Sequence, residues 1–102
     1  MAQLQVYQVT LALTPEVLAL CGALPGELRS QVRRAMVSVA LNIAEGGGRA
    51  GRDRQHHFRI AYASAREVSA GLEIGAVVAG VDVGAAEEKL DRVRAMLWRL
   101  SR

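Results

Sequence analysis

The chain has 102 residues, 51% of them hydrophobic but only 4% aromatic, and its formal net charge is +3. This length suits a single domain spanning residues 1–102, and a core of Ala, Val and Leu side chains leaves little room for an internal cofactor. We therefore predict one small domain and no cofactor.

The first predicted helix contains a proline. Leu4–Leu13 mixes alternating and helical spacing and is interpreted as helical, whereas Pro15 is typical of the first helical position. A helix over Pro15–Cys21 is therefore expected after a break or kink at Pro15.

The second helix is predicted from Glu27, with Gly46 as its C-cap. Its apolar residues recur every three or four positions: Leu28, Val32, Met36, Val39 and Ile43.

The third helix follows a glycine-rich connection, with Asp53 as its candidate N-cap. Its apolar series runs for about seven turns and consists of Phe58, Ala61, Ala65, Val68, Leu72, Gly75 and Ala79. The segment Gly80–Gly84 ends the third helix.

A last amphipathic helix follows, with apolar positions Ala86, Leu90, Val93, Leu97 and Leu100. Four helices with short connections predict an all-α fold, an antiparallel up-and-down four-helix bundle.

The compartment is predicted from cysteine use and from the distribution of charge. Cys21 is the only cysteine, which excludes an intrachain disulfide or a thiolate metal cluster and favours a reducing compartment. The first fifteen residues carry no charged side chain and so lack the basic start of a secretory signal. No uncharged apolar run in the interior of the chain approaches the roughly 20 residues that span a bilayer. We expect a cytoplasmic protein without a membrane partner.

Positive charge is concentrated around the connection between the second and third helices. Eight arginines lie between Arg29 and Arg66, where the only carboxylates are Glu45 and Asp53. Because arginine binds phosphate bidentately, a cluster of arginines on a loop indicates a nucleic-acid-binding site, with an ordinary solvated loop as the alternative. The candidate nucleic-acid-binding residues are Arg49, Arg52, Arg54 and Arg59.

A hairpin of the second and third helices predicts which residues face each other. If it turns near residue 50, facing residues have numbers that add up to about 100. Asn42 then meets Phe58, and Arg33 or Arg34 lies level with Glu67. Since buried arginines are usually paired, we predict a structural ion pair between Glu67 and one of these two arginines.

The second helix has more apolar surface than one small bundle can cover. Beside the stripe expected in the core, a second stripe of Val37, Leu41 and Ala44 lies about a third of a turn away. The third helix poses the same problem at Ile60, Ile74 and Val77. An interface between identical copies would cover both surfaces. A polar stripe containing Asn42 and Glu45 also needs partners. The predicted oligomer interface consists of Val37, Leu41, Ala44, Asn42 and Glu45.

The histidines do not predict a catalytic or metal centre. His56 and His57 are adjacent and so face different sides of a helix, and neither a His-Glu-x-x-His spacing nor a cysteine partner accompanies them. A nuclease that combines a histidine with Glu45 or Asp53 is conceivable from proximity, but no spacing demands it. We predict no enzyme activity and no metal.

Two segments resemble a known family. QVRRAMVSVALNIAEGGGR and FRIAYASAREV are similar to the small four-helix-bundle proteins encoded by intervening sequences of 23S ribosomal RNA genes. The hallmark positions are Arg33, Arg34, Ala35, Ser38, Asn42, Ile43, Ala44, Glu45, Gly46, Arg49, Ala61, Ser64 and Glu67. The chain departs from the pattern at His57, at Tyr62-Ala63 and at Pro15.

The resemblance has implications for assembly and partners. Relatives include the accessory variability determinant of diversity-generating retroelements, a pentameric barrel that associates with a reverse transcriptase and with nucleic acid. The resemblance therefore implies a homopentamer, with RNA or DNA and a reverse transcriptase as candidate partners. It supplies no catalytic site. The leading hypothesis is a non-enzymatic oligomeric bundle that binds nucleic acid; the alternative is a structural or protein-interaction module that does not.

Overall fold

Four helices make up the part of the chain that the computed structural model describes, residues 2–102. They span Ala2–Cys21 (α1), Gly26–Gly47 (α2), Gly51–Ala79 (α3) and Gly84–Leu100 (α4). α1 and α3 each pack against both α2 and α4, whereas within these residues the diagonal pairs do not approach each other. The long axis of 42 Å corresponds to the length of α3, since a helix rises about 1.5 Å per residue. The predicted all-α, up-and-down four-helix bundle is confirmed.

The core lies along one face of each helix, at most of the positions that the apolar spacing predicts, although Leu28 and Leu100 are only partly buried. Gly80 ends α3 in the left-handed conformation, with φ 66°, and its amide donates to the carbonyl of Ala76. Ala79, predicted as the last core position of α3, is exposed at this terminus. The buried apolar residues of α2, α3 and α4 are Val32, Ala35, Met36, Val39, Ile43, Phe58, Ala61, Ala65, Val68, Leu72, Ala86, Leu90, Val93 and Leu97.

Helix α1 runs without interruption through Pro15, so the predicted break is wrong. Proline removes the hydrogen bond to the carbonyl four residues earlier, but both Pro15 and Leu11 are on the exposed side of the helix. On the other side the stripe that packs into the core continues across the proline, so tertiary packing holds the helix together. This stripe consists of Val6, Thr10, Leu13, Val17 and Cys21.

Much of the surface of α1 is apolar. By length and composition alone, Leu4–Cys21 is long and apolar enough to cross a membrane, with a mean hydropathy of 1.3. One such helix is weak evidence for a span, because core helices pass the same test. Only 28% of this segment is buried inside the bundle. Its exposed leucines, Leu4 and Leu11, therefore add to the apolar surface that the fold leaves uncovered.

Helix α3 requires glycine where it packs against Val32 of α2 and against Leu24, which lies just before α2. A Cβ atom added at Gly71 would lie 2.3 Å from Cγ2 of Val32, and one added at Gly75 would lie 2.3 Å from Cδ2 of Leu24. Valine is stiff at χ1 in a helix, so Val32 cannot easily turn aside. The small residues of α3 thus set the distance between the two helices.

Both predicted helix termini beside the connection are wrong. Helix α2 continues to Gly47 and is capped at Gly48, while Gly46 is buried beneath Phe58, whose Cε1 would lie 2.8 Å from an added Cβ. Helix α3 begins at Gly51 instead of at Asp53. The glycine at position 46 therefore serves packing against an aromatic ring, and the helix ends one residue later.

Replacing Gly71 by alanine is expected to lower the free energy of unfolding by about 1–3 kcal/mol relative to Gly47→Ala, because it overpacks the contact with Val32. Gly47 is the matched control, since nothing lies within 4 Å of a Cβ added there and both changes gain the helix propensity of alanine. Urea unfolding at one protein concentration measures the difference. Equal stability of the two variants would contradict the close contact.

Candidate functional site

Three apolar residues of α2 are exposed on the surface of the bundle. Val37 is 43% exposed and Leu41 62% exposed, and Ala44 is also exposed. We call these three residues the α2 apolar face. It lies in the half of α2 that leads to the connection with α3. The bundle itself therefore leaves the second apolar stripe of this helix uncovered.

A second exposed apolar surface lies near the other end of α3. Ile74, Val77 and Val78 are 50%, 85% and 59% exposed, and we call them the α3 apolar end. Gly75 contacts Leu24 there, which places this surface at the end of the bundle opposite the connection between α2 and α3. Two large apolar surfaces of one chain thus lie at opposite ends of the α2–α3 hairpin.

A polar seam joins the middle of α2 to α3. The hydroxyl groups of Ser38 and Ser64 lie 2.8 Å apart, and the Asn42 amide donates to the Ser38 carbonyl at 2.9 Å. Nδ1 of His57 lies 3.1 Å from Oδ1 of Asn42. Because that oxygen can only accept, this hydrogen bond requires a proton on Nδ1 of His57. Ser38 and Asn42 of the polar stripe predicted on α2 thus hydrogen-bond to Ser64 and His57 of α3, and His57 directly precedes Phe58, the predicted neighbour of Asn42.

Glu45 and Asp53 both bind Arg49. Nη2 of Arg49 lies 3.3 Å from Oε2 of Glu45, and Nη1 lies 2.8 Å from Oδ2 of Asp53. Hydrogen bonds to Asp53 and then to Glu45 raise the pKa of this guanidinium. Of the candidate nucleic-acid-binding arginines, Arg49 therefore has its charge balanced inside its own chain.

The predicted ion pair between Glu67 and Arg33 or Arg34 does not form in the described chain. All three side chains are exposed. At this level the contact between the helices is made by Val32 and Gly71, which leaves no buried arginine that needs a partner. The two arginines and Glu67 lie on the outside of the hairpin.

Arg52 and Arg54 lie beside Arg49 at the start of α3. Arg52 is exposed, and Nε of Arg54 donates to the carbonyl of Arg49 at 2.8 Å. That bond orients the Arg54 side chain over the connection without neutralising its charge. Neither side chain forms an ion pair within the described residues.

Arg59 and Arg102 extend the same positive surface. Nη1 of Arg59 donates to the carbonyl of Ser101 at 3.1 Å, and the Gln55 amide donates to the carbonyl of Arg102 at 2.9 Å. These bonds hold residues 101–102 against the first turns of α3. We define the loop end as the end of the bundle that carries Arg49, Arg52, Arg54, Arg59 and Arg102.

An aromatic pair, which the sequence patterns did not predict, lies between α3 and α4. The ring centroids of Tyr62 and Trp98 are 5.5 Å apart, and the guanidinium carbon of Arg102 lies 4.7 Å from the centroid of the Trp98 ring. Trp98 is nevertheless 48% exposed. We call the surface between these two helices the α3–α4 groove. The residues are 36 positions apart in the chain, so only the fold brings them together.

Charged residues continue along the α3–α4 groove. Arg66 and Arg94 line it together with Asp91, which is ion-paired to Arg94. Further from the loop end lies Glu87. Burial, and then the carboxylates of Glu73 and Asp91, raise its pKa. The groove is therefore basic toward the loop end and acidic toward the opposite end.

Cys21 and the histidines form no metal centre in the part of the chain that the structure describes. Cys21 is buried, and burial raises the pKa of its thiol, so the thiolate that would bind a metal is disfavoured. The described residues instead define an all-α bundle with an exposed apolar face and an arginine-rich end.

The fold agrees with the comparison with known protein families. The model of the 23S rRNA-intervening sequence protein family matches residues 2–99. The chain belongs to this family. Comparison with curated proteins and with solved structures found no match.

Replacing Asn42 by alanine is expected to lower the free energy of unfolding by about 1–2 kcal/mol, because Ser38 and His57 lose a hydrogen-bond partner in a partly buried seam. Gln31→Ala, at an exposed position of the same helix, is the control and should change stability little. A double-mutant cycle with His57→Ala, followed by urea unfolding, should show non-additive losses. Additive losses would contradict the hydrogen bond between Asn42 and His57.

Proposed function

We propose that this protein is a non-enzymatic, homo-oligomeric four-helix bundle that binds RNA or DNA through its loop end. The observation that supports the proposal most is the state of charge there. Arg52, Arg54 and Arg59 form no ion pair within the described chain, while both nearby carboxylates are bound to Arg49. The loop end therefore carries positive charge that no residue of the described chain neutralises.

Phosphate is a suitable ligand for this surface. Arginine presents a planar fork of donors that matches phosphate oxygens, and its charge persists at any physiological pH. The hydrogen bond from Arg54 to the carbonyl of Arg49 and that from Arg59 to the carbonyl of Ser101 hold their side chains in place. Because such contacts are made to the backbone of the nucleic acid, we expect binding with little dependence on base sequence.

Oligomerisation is proposed from the uncovered apolar surfaces. The α2 apolar face and the α3 apolar end lie at opposite ends of the hairpin, so a contact between them joins one copy to the next head to tail. Head-to-tail contacts close into a ring when the rotation permits. The homopentamer that the family resemblance implies is such a ring, and it would repeat the loop end five times. A reverse transcriptase is the protein partner that the same resemblance implies.

Replacing Leu41 by glutamate is expected to dissociate the oligomer, because it places a charge in an apolar interface where no partner satisfies it. Ala85→Glu is the control: it makes the same change in charge at an exposed position of α4 and should leave the oligomer intact. Light scattering measures the mass of both variants. An unchanged mass for Leu41→Glu would exclude the α2 apolar face from the interface.

Removing Arg52 and Arg54 together is expected to reduce the dependence of nucleic-acid affinity on salt. The slope of log affinity against log salt should fall by about one for each phosphate that the variant no longer binds. Arg33→Ala/Arg92→Ala removes the same charge from exposed positions away from the loop end and should change the slope less. Fluorescence anisotropy with labelled RNA and DNA at several salt concentrations measures both.

Three outcomes of that titration would contradict nucleic-acid binding at the loop end. They are no binding at low salt, binding insensitive to salt, and equal losses in the two double variants. Absence of any binding, with the oligomer intact, would instead support a structural or protein-interaction module whose arginines serve ion pairs such as those of Arg49.

A further inference from the structure

The α3–α4 groove combines two aromatic rings with arginines. It is an open cleft of about 590 Å³, within the range of about 300–1,000 Å³ typical of small-ligand sites. Tyr62 and Trp98 form one wall, and their rings are inclined by 49°. Arg66 and Arg94 line the same cleft. Half of the Trp98 surface remains in contact with solvent, although only 4% of the chain is aromatic.

We propose that this groove binds an unpaired base of single-stranded nucleic acid. In this site the base stacks on Trp98 beside Tyr62, and Arg66 and Arg102 bind the flanking phosphates. The inference rests on the proposed function, which it extends from the phosphate backbone to the base and from any nucleic acid to single strands.

Stacking on an exposed aromatic ring explains the preference for an unpaired base. Bases inside a duplex present their edges to a protein, whereas a single strand can turn the face of a base toward an aromatic side chain. Such stacking strengthens binding by roughly 10- to 100-fold per base and tolerates all four bases. Trp98 therefore adds affinity for single strands that the loop-end arginines do not supply.

Arg102 links the aromatic surface to the loop end. Its guanidinium now rests on the Trp98 ring at 4.7 Å, an attraction between a cation and the ring face. A base that replaces the guanidinium on the Trp98 ring keeps the indole stacked. The displaced guanidinium of Arg102 can then bind phosphate. The main chain of Arg102 stays anchored by Gln55, so the released side chain remains close to the groove.

The carboxylates of the groove determine toward which end of the bundle the bound strand leaves Trp98. Asp91 is ion-paired with Arg94, so its charge is balanced near the base. Glu87 and Glu73 lie further from the loop end and repel phosphate. The strand is therefore expected to leave Trp98 toward Arg59 and the loop end, so that one continuous strand contacts both sites.

Trp98 is the only tryptophan of the chain, so its fluorescence reports directly on the groove. Titration of the full chain with unlabelled single-stranded RNA and single-stranded DNA of mixed sequence is expected to quench its emission. A duplex of the same length should bind at low salt without comparable quenching. The RNA and DNA arms show which of the two strands the groove prefers.

Substitution supplies the second measurement. Trp98→Leu is expected to weaken binding of a labelled single strand about 10-fold or more, as measured by anisotropy, and to weaken duplex binding much less. Trp98→Phe should restore most of the missing affinity because it retains an aromatic face. Circular dichroism and light scattering check that fold and mass are the same in all variants.

The inference and the proposed function fail in different ways. One result would overturn the inference alone: single strands and duplex bind equally, Trp98 emission does not change, and Trp98→Leu binds as tightly as the original chain. The groove is then not a base-binding site, but the loop end is still a nucleic-acid site. If Trp98→Leu alters the mass of the oligomer and not the affinity, the groove is a subunit contact and the inference is overturned. If nothing binds at low salt, the proposed function itself is contradicted.

Discussion

The close contact between α2 and α3 is the constraint on which the rest of the structure depends. Where Gly71 meets Val32, and again where Gly75 meets Leu24, there is no room for a Cβ atom. Because the side chains of Val32 and Leu24 pack directly against these glycines of α3, few alternative registers are possible: a shift along the helix would bring a larger side chain into the contact. The small residues of α3 therefore fix the hairpin. Each glycine lowers the stability of the helix by up to about 1 kcal/mol relative to alanine, and this loss accompanies the close packing.

The register of the α2–α3 hairpin determines which side chains of α2 are buried and which are exposed at the α2 apolar face. It pairs the polar residues of α2 with those of α3, which satisfies Asn42 inside the chain. It also turns the α2 apolar face outward, since the opposite side of α2 is already committed to the core. At the connection, spacings of four residues along the chain place Arg49 between Glu45 and Asp53. One contact thus determines what the chain buries and what it presents to a partner.

The periodicity of apolar residues was sufficient to predict the four helices and most of the core, because burial of one face dominates helix packing. Local signals were less reliable. Pro15 did not break α1, since its buried stripe continues across the proline, and Gly46 makes room for Phe58 before α2 ends. The candidate arginines were identifiable from composition. The two ion pairs of Arg49, with Glu45 and Asp53, lie at spacings of four residues, a local signal that the composition alone did not reveal. The pairing of Trp98 with Tyr62 required the arrangement of α3 and α4.

The proposed oligomer would cover Leu41 and Val77, which the helices of a single chain leave in contact with water. Sedimentation equilibrium of the unmodified chain at micromolar concentration tests it most directly. We expect a single species of at least two copies of the 11.0 kDa chain, and of five copies if the ring is a pentamer. A stable species of 11.0 kDa across that concentration range would contradict it.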